Sequence, residues 1–115
     1  MDKKFELLMT VSESINYLLA KAEEISTYFA EGRDSDASNH IGVFIDDLSL
    51  TIKAINLTEN VQKEKIDTSE INEVLNSMVE AFENSDFILL GDLFQYELSP
   101  ILQKWNDKIS MNTFN

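Results

Sequence analysis

Cysteine is absent from these 115 residues, which excludes a disulfide framework, a thiolate zinc site and a cysteine nucleophile. That composition suits a reducing compartment, and a cytoplasmic location is expected. Glycine occurs three times and proline once. An all-β domain of this length would need turn residues every eight to twelve positions or so, so the scarcity favours helices. Long apolar runs are missing too: nothing approaches the roughly 18 consecutive apolar residues that span a bilayer. At the start of the chain, Glu6, Ser12, Glu13, Ser14 and Asn16 interrupt any signal-peptide core. Basic residues are few, 9 Lys and Arg against 21 Asp and Glu, a formal charge of −12. Direct binding to nucleic acid or to an anionic membrane is therefore not expected, because attraction to phosphate dominates such affinity.

What remains is ordinary globular material. A hydrophobic fraction of 43% with 10% aromatics can offset the entropy of ordering, and 115 residues suffice for one core without metal or disulfide. A single helical domain over 1–115 is expected.

Periodicity supplies its helices. Leu8, Val11, Ile15, Leu18, Ala22, Ile25 and Phe29 recur at spacings of three and four, predicting one long amphipathic helix over 4–31 that Gly32 stops. The segment "GRDSDASNHI" reads as a polar loop. A second helix follows, with Ile41, Phe44, Ile45, Leu48, Ile52 and Ile55 inward and Val43, Leu50 and Leu57 adding apolar surface elsewhere. The pattern fades from Thr58 to Lys65. Then "DTSE" sets Asp67 and Glu70 at capping-box spacing, with Thr68 and Ser69 as rival caps, and opens a third helix. Ile71, Val74, Leu75, Met78, Val79 and Phe82 form its inward face. A short break at "ENSD" predicts an antiparallel neighbour. The expected fold is all-α: an antiparallel bundle of four main helices.

On the last helix Phe87, Leu90, Phe94, Leu98, Ile101, Trp105 and Ile109 keep phase across Pro100, predicting one helix kinked at the proline, with the Tyr96 carbonyl deprived of its donor. At about 100° per residue Glu97 falls inside the apolar sector. A buried carboxylate requires a partner, and Lys53, Tyr17, Tyr28 and Lys104 are candidates. Gly91 also faces inward, where a missing side chain admits a neighbouring helix.

In "SDFILLGDLFQYELSPILQKW", Asp86, Leu89, Leu90, Asp92, Leu93, Tyr96, Glu97, Leu98 and Pro100 follow the order acid, leucine run, acid, Tyr-Glu-Leu, Pro. The segment resembles one shared by small uncharacterised helical proteins of Gram-positive bacteria. Gly91 stands where those proteins carry a small helix former. The resemblance implies a helical fold without established chemistry, associated with motility or surface-glycan functions.

No catalytic residue, metal ligand set or cofactor site is legible. His40 is the only histidine and lies in no Glu-x-x-His spacing. Asp34, Asp36 and Ser38 alternate like a calcium loop, but Asn39 and Ile45 occupy the positions that need glycine and glutamate. The leading expectation is a non-catalytic interaction module, an adaptor, small chaperone or regulatory subunit with an apolar groove. Its partner-binding candidates are Tyr96, Glu97, Leu50, Leu57, Ile88, Leu89, Met111 and Phe114. A protein partner is expected, either another protein or a second copy of the chain in a homodimer. The alternative is an acidic nucleic-acid mimic that binds a basic protein. Between Asp67 and Glu97 lie eight acids and no Lys or Arg, and Glu70, Glu73, Glu80, Glu83, Asp86 and Asp92 would form its acidic face. An enzyme would require a polar pocket around Glu97 with Tyr96 or Tyr17 in reach.

Overall fold

The computed structural model describes the backbone of residues 3–114 and the side chains of residues 3–111. It is all-α, with no strand among the described residues. Helix α1 spans Lys3–Ala30, α2 Asp34–Leu57, α3 Asn72–Glu83 and α4 Phe87–Asp92; a π-helical stretch, Leu93–Leu98, carries α4 directly into α5, Ser99–Phe114. From Phe87 onward the chain is thus one continuous C-terminal helix. The molecule measures 46 × 21 × 20 Å, set by the length of α1.

Every residue of the stripe read along α1 is buried, from Leu8 to Phe29. This helix is the spine: it packs on α2, α4, the π stretch and α5. Against the C-terminal helix its polar rim is stitched by neutral groups. The Ser12 hydroxyl donates to Asn106 Oδ1 at 3.2 Å, the Asn106 amide to Asn16 Oδ1 at 3.1 Å, and the Ser26 hydroxyl to Gln95 Oε1 at 3.5 Å. Gly91 admits a close approach of the two helices: a Cβ there would stand 3.0 Å from Phe29 Cβ. The Phe29 and Phe87 rings stack beside it at 5.8 Å.

Gly32 ends α1 as expected, at φ 73°. Its N–H donates to the Phe29 carbonyl and that of Arg33 to the Tyr28 carbonyl, the paired bonds of a Schellman motif. The reversal is so tight that the polar loop read over "GRDSDASNHI" does not exist. Helix α2 begins at Asp34, with Asp34 and Asp36 in its first turn, where acids are favourable against the helix dipole. Ala37 enters the core. The same motif closes α3: Ser85 adopts φ 55° and the Asp86 N–H donates to the Ala81 carbonyl at 2.8 Å. Asp86 then caps α4, accepting from the Leu89 N–H at 3.2 Å.

Between α2 and α3 the chain is organised by one side chain. The Gln62 amide donates to the Ile55 carbonyl at 2.9 Å and to Thr58 Oγ1, while its Oε1 accepts from the Ile66 N–H. One polar residue thereby ends α2 and fixes the entry to the next element. Two short 3-10 turns follow the same path, Glu59–Val61 and Thr68–Ile71. Asp67 caps the second, accepting from the Ser69 N–H at 3.0 Å and its hydroxyl at 2.6 Å. Glu70 does not complete a capping box. Its carboxylate reaches across to α5, taking the Trp105 indole N–H and the Lys104 ammonium, both at 3.0 Å.

Candidate functional site

α1 makes the closed side of the molecule, and α3 the open one. α3 packs on α4 and the π stretch but scarcely meets α2. The gap between α2 and α3 is a groove of about 530 Å³. Ile41 and Ile45 line it from α2; Leu75, Met78, Val79, Phe82 and Glu83 from α3; Leu90 and Phe94 form its floor. Glu83 is the single charged residue in that lining. The floor is packed: Phe94 is fully buried and meets the Phe44 ring edge-on at 5.4 Å.

The wall, by contrast, is uncovered. Val79 is 56% and Phe82 46% exposed. Both belong to the stripe read as the inward face of α3, which the structure corrects: only Ile71, Val74, Met78 and Ala81 are buried there. A stripe spanning six apolar positions is wider than the one neighbour α3 possesses, and two of the six are left facing solvent, with Leu75 half-buried between.

Glu97 is a second correction. It is exposed, and its candidate partners are engaged elsewhere or simply exposed: Lys104 pairs with Glu70, and the Tyr28 hydroxyl donates to Glu24 at 3.0 Å. The cause is the π stretch. A π turn closes i→i+5 bonds and holds one more residue than an α turn, so a wheel at 100° per residue loses its phase. Here the Ser99 N–H donates to the Phe94 carbonyl five residues back, and the Ser99 hydroxyl donates to the same oxygen at 2.9 Å. Pro100 accounts for the position of the wide turn, since it cannot donate to Tyr96. Leu93, Phe94 and Leu98 all reach the core, Gln95 to Glu97 stand out, and beyond the proline Leu102 is buried with Ile101 only half-covered.

The remaining candidates are exposed but are not gathered in the groove. Leu50 lines a shallower depression between α1 and α2 with Tyr17, Leu7 and Ala54. Leu57 lies at the end of α2, Ile88 and Leu89 in the first turn of α4, Tyr96 on the π stretch and Met111 late in α5. Phe114 lies outside the described side chains. Of the acidic residues, Glu73, Glu80, Glu83 and Asp92 are exposed, whereas Asp86 is a helix cap and Glu70 a bridge to α5. Missing from the sequence reading were Ile41, Ile45, Val79 and Phe82 as a surface, because each looked like core. Val79 and Phe82 on a twelve-residue helix with few neighbours in the chain were the available signal.

A polar cluster marks the α1–α2 turn. Lys21 and Tyr28 both bond Glu24, which holds its carboxyl below the usual range; Arg33 lies over the Tyr28 ring and His40 stacks on it at 5.6 Å. These groups neutralise one another. Among the described residues no three of His, Asp or Glu converge as metal ligands would, and no helix is long and apolar enough to cross a membrane.

The chain belongs to the family described as "Domain of unknown function (DUF8042)", whose family model matches residues 6–108. No curated protein and no solved structure matches it.

Proposed function

We propose that the protein is a non-catalytic, cytoplasmic interaction module that receives a helix of another protein in the groove between α2 and α3. The observation that carries this reading is the uncovered wall of Val79 and Phe82 above a packed apolar floor. A trough of apolar side chains between two helices has the shape that an amphipathic helix fills. The bundle assigned here is antiparallel. Supporting it, early α1 residues Ser12 and Asn16 bond late Asn106, while late Ser26 bonds earlier Gln95. A bend at Pro100 belongs to the same reading, supported by the π stretch preceding it. So does the likeness of residues 85–105 to segments of small helical proteins of Gram-positive bacteria.

The acidic-mimic reading finds less support, because Glu70 and Asp86 are occupied with intramolecular bonds and are not free to imitate phosphates. A photo-reactive amino acid placed at Val79 should crosslink a discrete partner in the native cell, and one at exposed Asp107 on α5 should not. Equal crosslinking from both positions would remove the groove from the function.

A further inference from the structure

We propose that the occupant of the groove is a cationic amphipathic helix, apolar along one stripe and carrying lysine or arginine on both flanks of it. This rests on the groove being a docking site and adds the chemistry of what docks. The charge of its two walls is the reason. From residue 34 to residue 52, α2 carries Asp34, Asp36, Asp46 and Asp47 and no Lys or Arg; Asp36 is paired with Arg33 and Asp47 lines the depression on the α1 side, which leaves Asp34 and Asp46. From residue 67 to residue 97, the stretch that supplies the other wall and the floor carries eight acids and again no Lys or Arg. The basic residues of the chain lie outside both stretches, at Lys21, Arg33, Lys53, Lys104 and Lys108 among others. An apolar trough with Glu83 as its single charged lining residue, between banks whose own stretches supply acids and no base, attracts a helix whose polar flanks are positive and repels one whose flanks are negative.

Dimensions agree. α3 has 12 residues, about 18 Å of helix axis, enough to contact a stripe at i, i+3, i+4 and i+7 of an incoming helix. Gly42 adds an independent sign. It lies exposed in the middle of α2, one residue after Ile41 and three before Ile45, and a Cβ on it would meet nothing within 4 Å. A mid-helix glycine weakens its helix and here nothing inside the chain requires it, whereas a partner backbone lying close to that flank would. A second copy of this chain is the less fitting occupant, since it would bring a formal charge of −12 to the acidic banks.

Three labelled synthetic peptides of equal length test this against the full chain by fluorescence anisotropy: a leucine stripe with lysine at the other positions, the same stripe with glutamate, and the lysine peptide with its leucines shuffled off the stripe. The expected result is binding by the first about tenfold or more tighter than by either control, weakening as salt is raised. Val79→Lys, at an exposed position and with an unchanged helical circular dichroism spectrum, should weaken it by a similar factor. If the glutamate peptide binds as well as the lysine one, the cationic occupant is wrong and the apolar docking site stands. Equal binding of the shuffled peptide means attraction to charge alone and overturns both. No binding by any peptide, together with a dimer in light scattering that Val79→Lys dissociates, makes a second copy the occupant. Failure of all three against a monomer removes the docking site itself.

Discussion

The two long flanks of α1 and the single flank of α3 are built from the same residue types and end differently. Along α1, seven apolar residues at helical spacing meet neighbours on every turn and vanish from solvent. Along α3, six such residues meet one neighbour, and Val79 and Phe82 remain outside. Burial of a stripe therefore depends on how many helices surround it as well as on its own pattern. The spine of the molecule has partners to spare; the short helix at its edge does not, and the mismatch is where the groove arises.

The contrast can be broken most severely from the closed side. Trp105 is fully buried in the C-terminal helix, and its indole N–H is bound to Glu70. Trp105→Ala should lower unfolding free energy by about 3–5 kcal/mol in urea titration, through the cavity and the lost indole hydrogen bond to Glu70. Gly91→Leu should come next. Its Cβ would press on Phe29 Cβ at 3.0 Å, an atom next to the backbone that cannot swing away, and a loss of about 1–3 kcal/mol is expected from overpacking. On the open side the same kind of change should be nearly silent. Val79→Ser, half-exposed on α3, should shift stability by less than about 0.5 kcal/mol in the same titration. A loss near that of a core residue would mean that the groove closes in solution.

Acid offers the finest probe, because the two regions differ in the groups that hold them. The seam of α1 with the C-terminal helix is tied by Ser, Asn and Gln, which do not titrate, and the depressed Glu24 carboxyl bonds only within α1. The entry to α3 is tied by Asp67, whose carboxyl the Ser69 hydroxyl and N–H hold below its ordinary value. A depressed carboxylate contributes stability that is present above its unfolded pKa and lost as pH falls through the folded one. Amide exchange in residues 68–83 should therefore speed up relative to α1 below about pH 4, and Asp67→Asn should abolish that difference. Identical pH dependence in both regions would refute the assignment.

Much of this was legible in the chain. The α1 stripe, the stop at Gly32, the Asp67 cap and the close approach at Gly91 are each local statements: a spacing, a missing Cβ or a short polar side chain beside a helix start. Three misreadings have separate causes. The polar segment at residues 32–41 is helical from Asp34 onward, because a Schellman turn needs only Glu31 to Arg33 to reverse the chain. Glu97 was placed inward by a rotation per residue that the wide turn before Pro100 does not obey. Val79 and Phe82 were assigned to a core because a periodic stripe declares that a face is apolar without declaring that anything covers it.

The order of residues thus determined where helices begin, where most of them end and which of their faces are apolar, since these depend on backbone bonds and spacings within a few positions. Only the packed molecule decided that α1 would be enclosed and α3 left half-open, and which way Tyr96 and Glu97 would turn. The first outcome depends on how many helices fit around each axis, which is set by the simultaneous contacts of segments far apart in the chain; the second depends on one extra residue in the turn before Pro100, which a wheel of fixed pitch does not register.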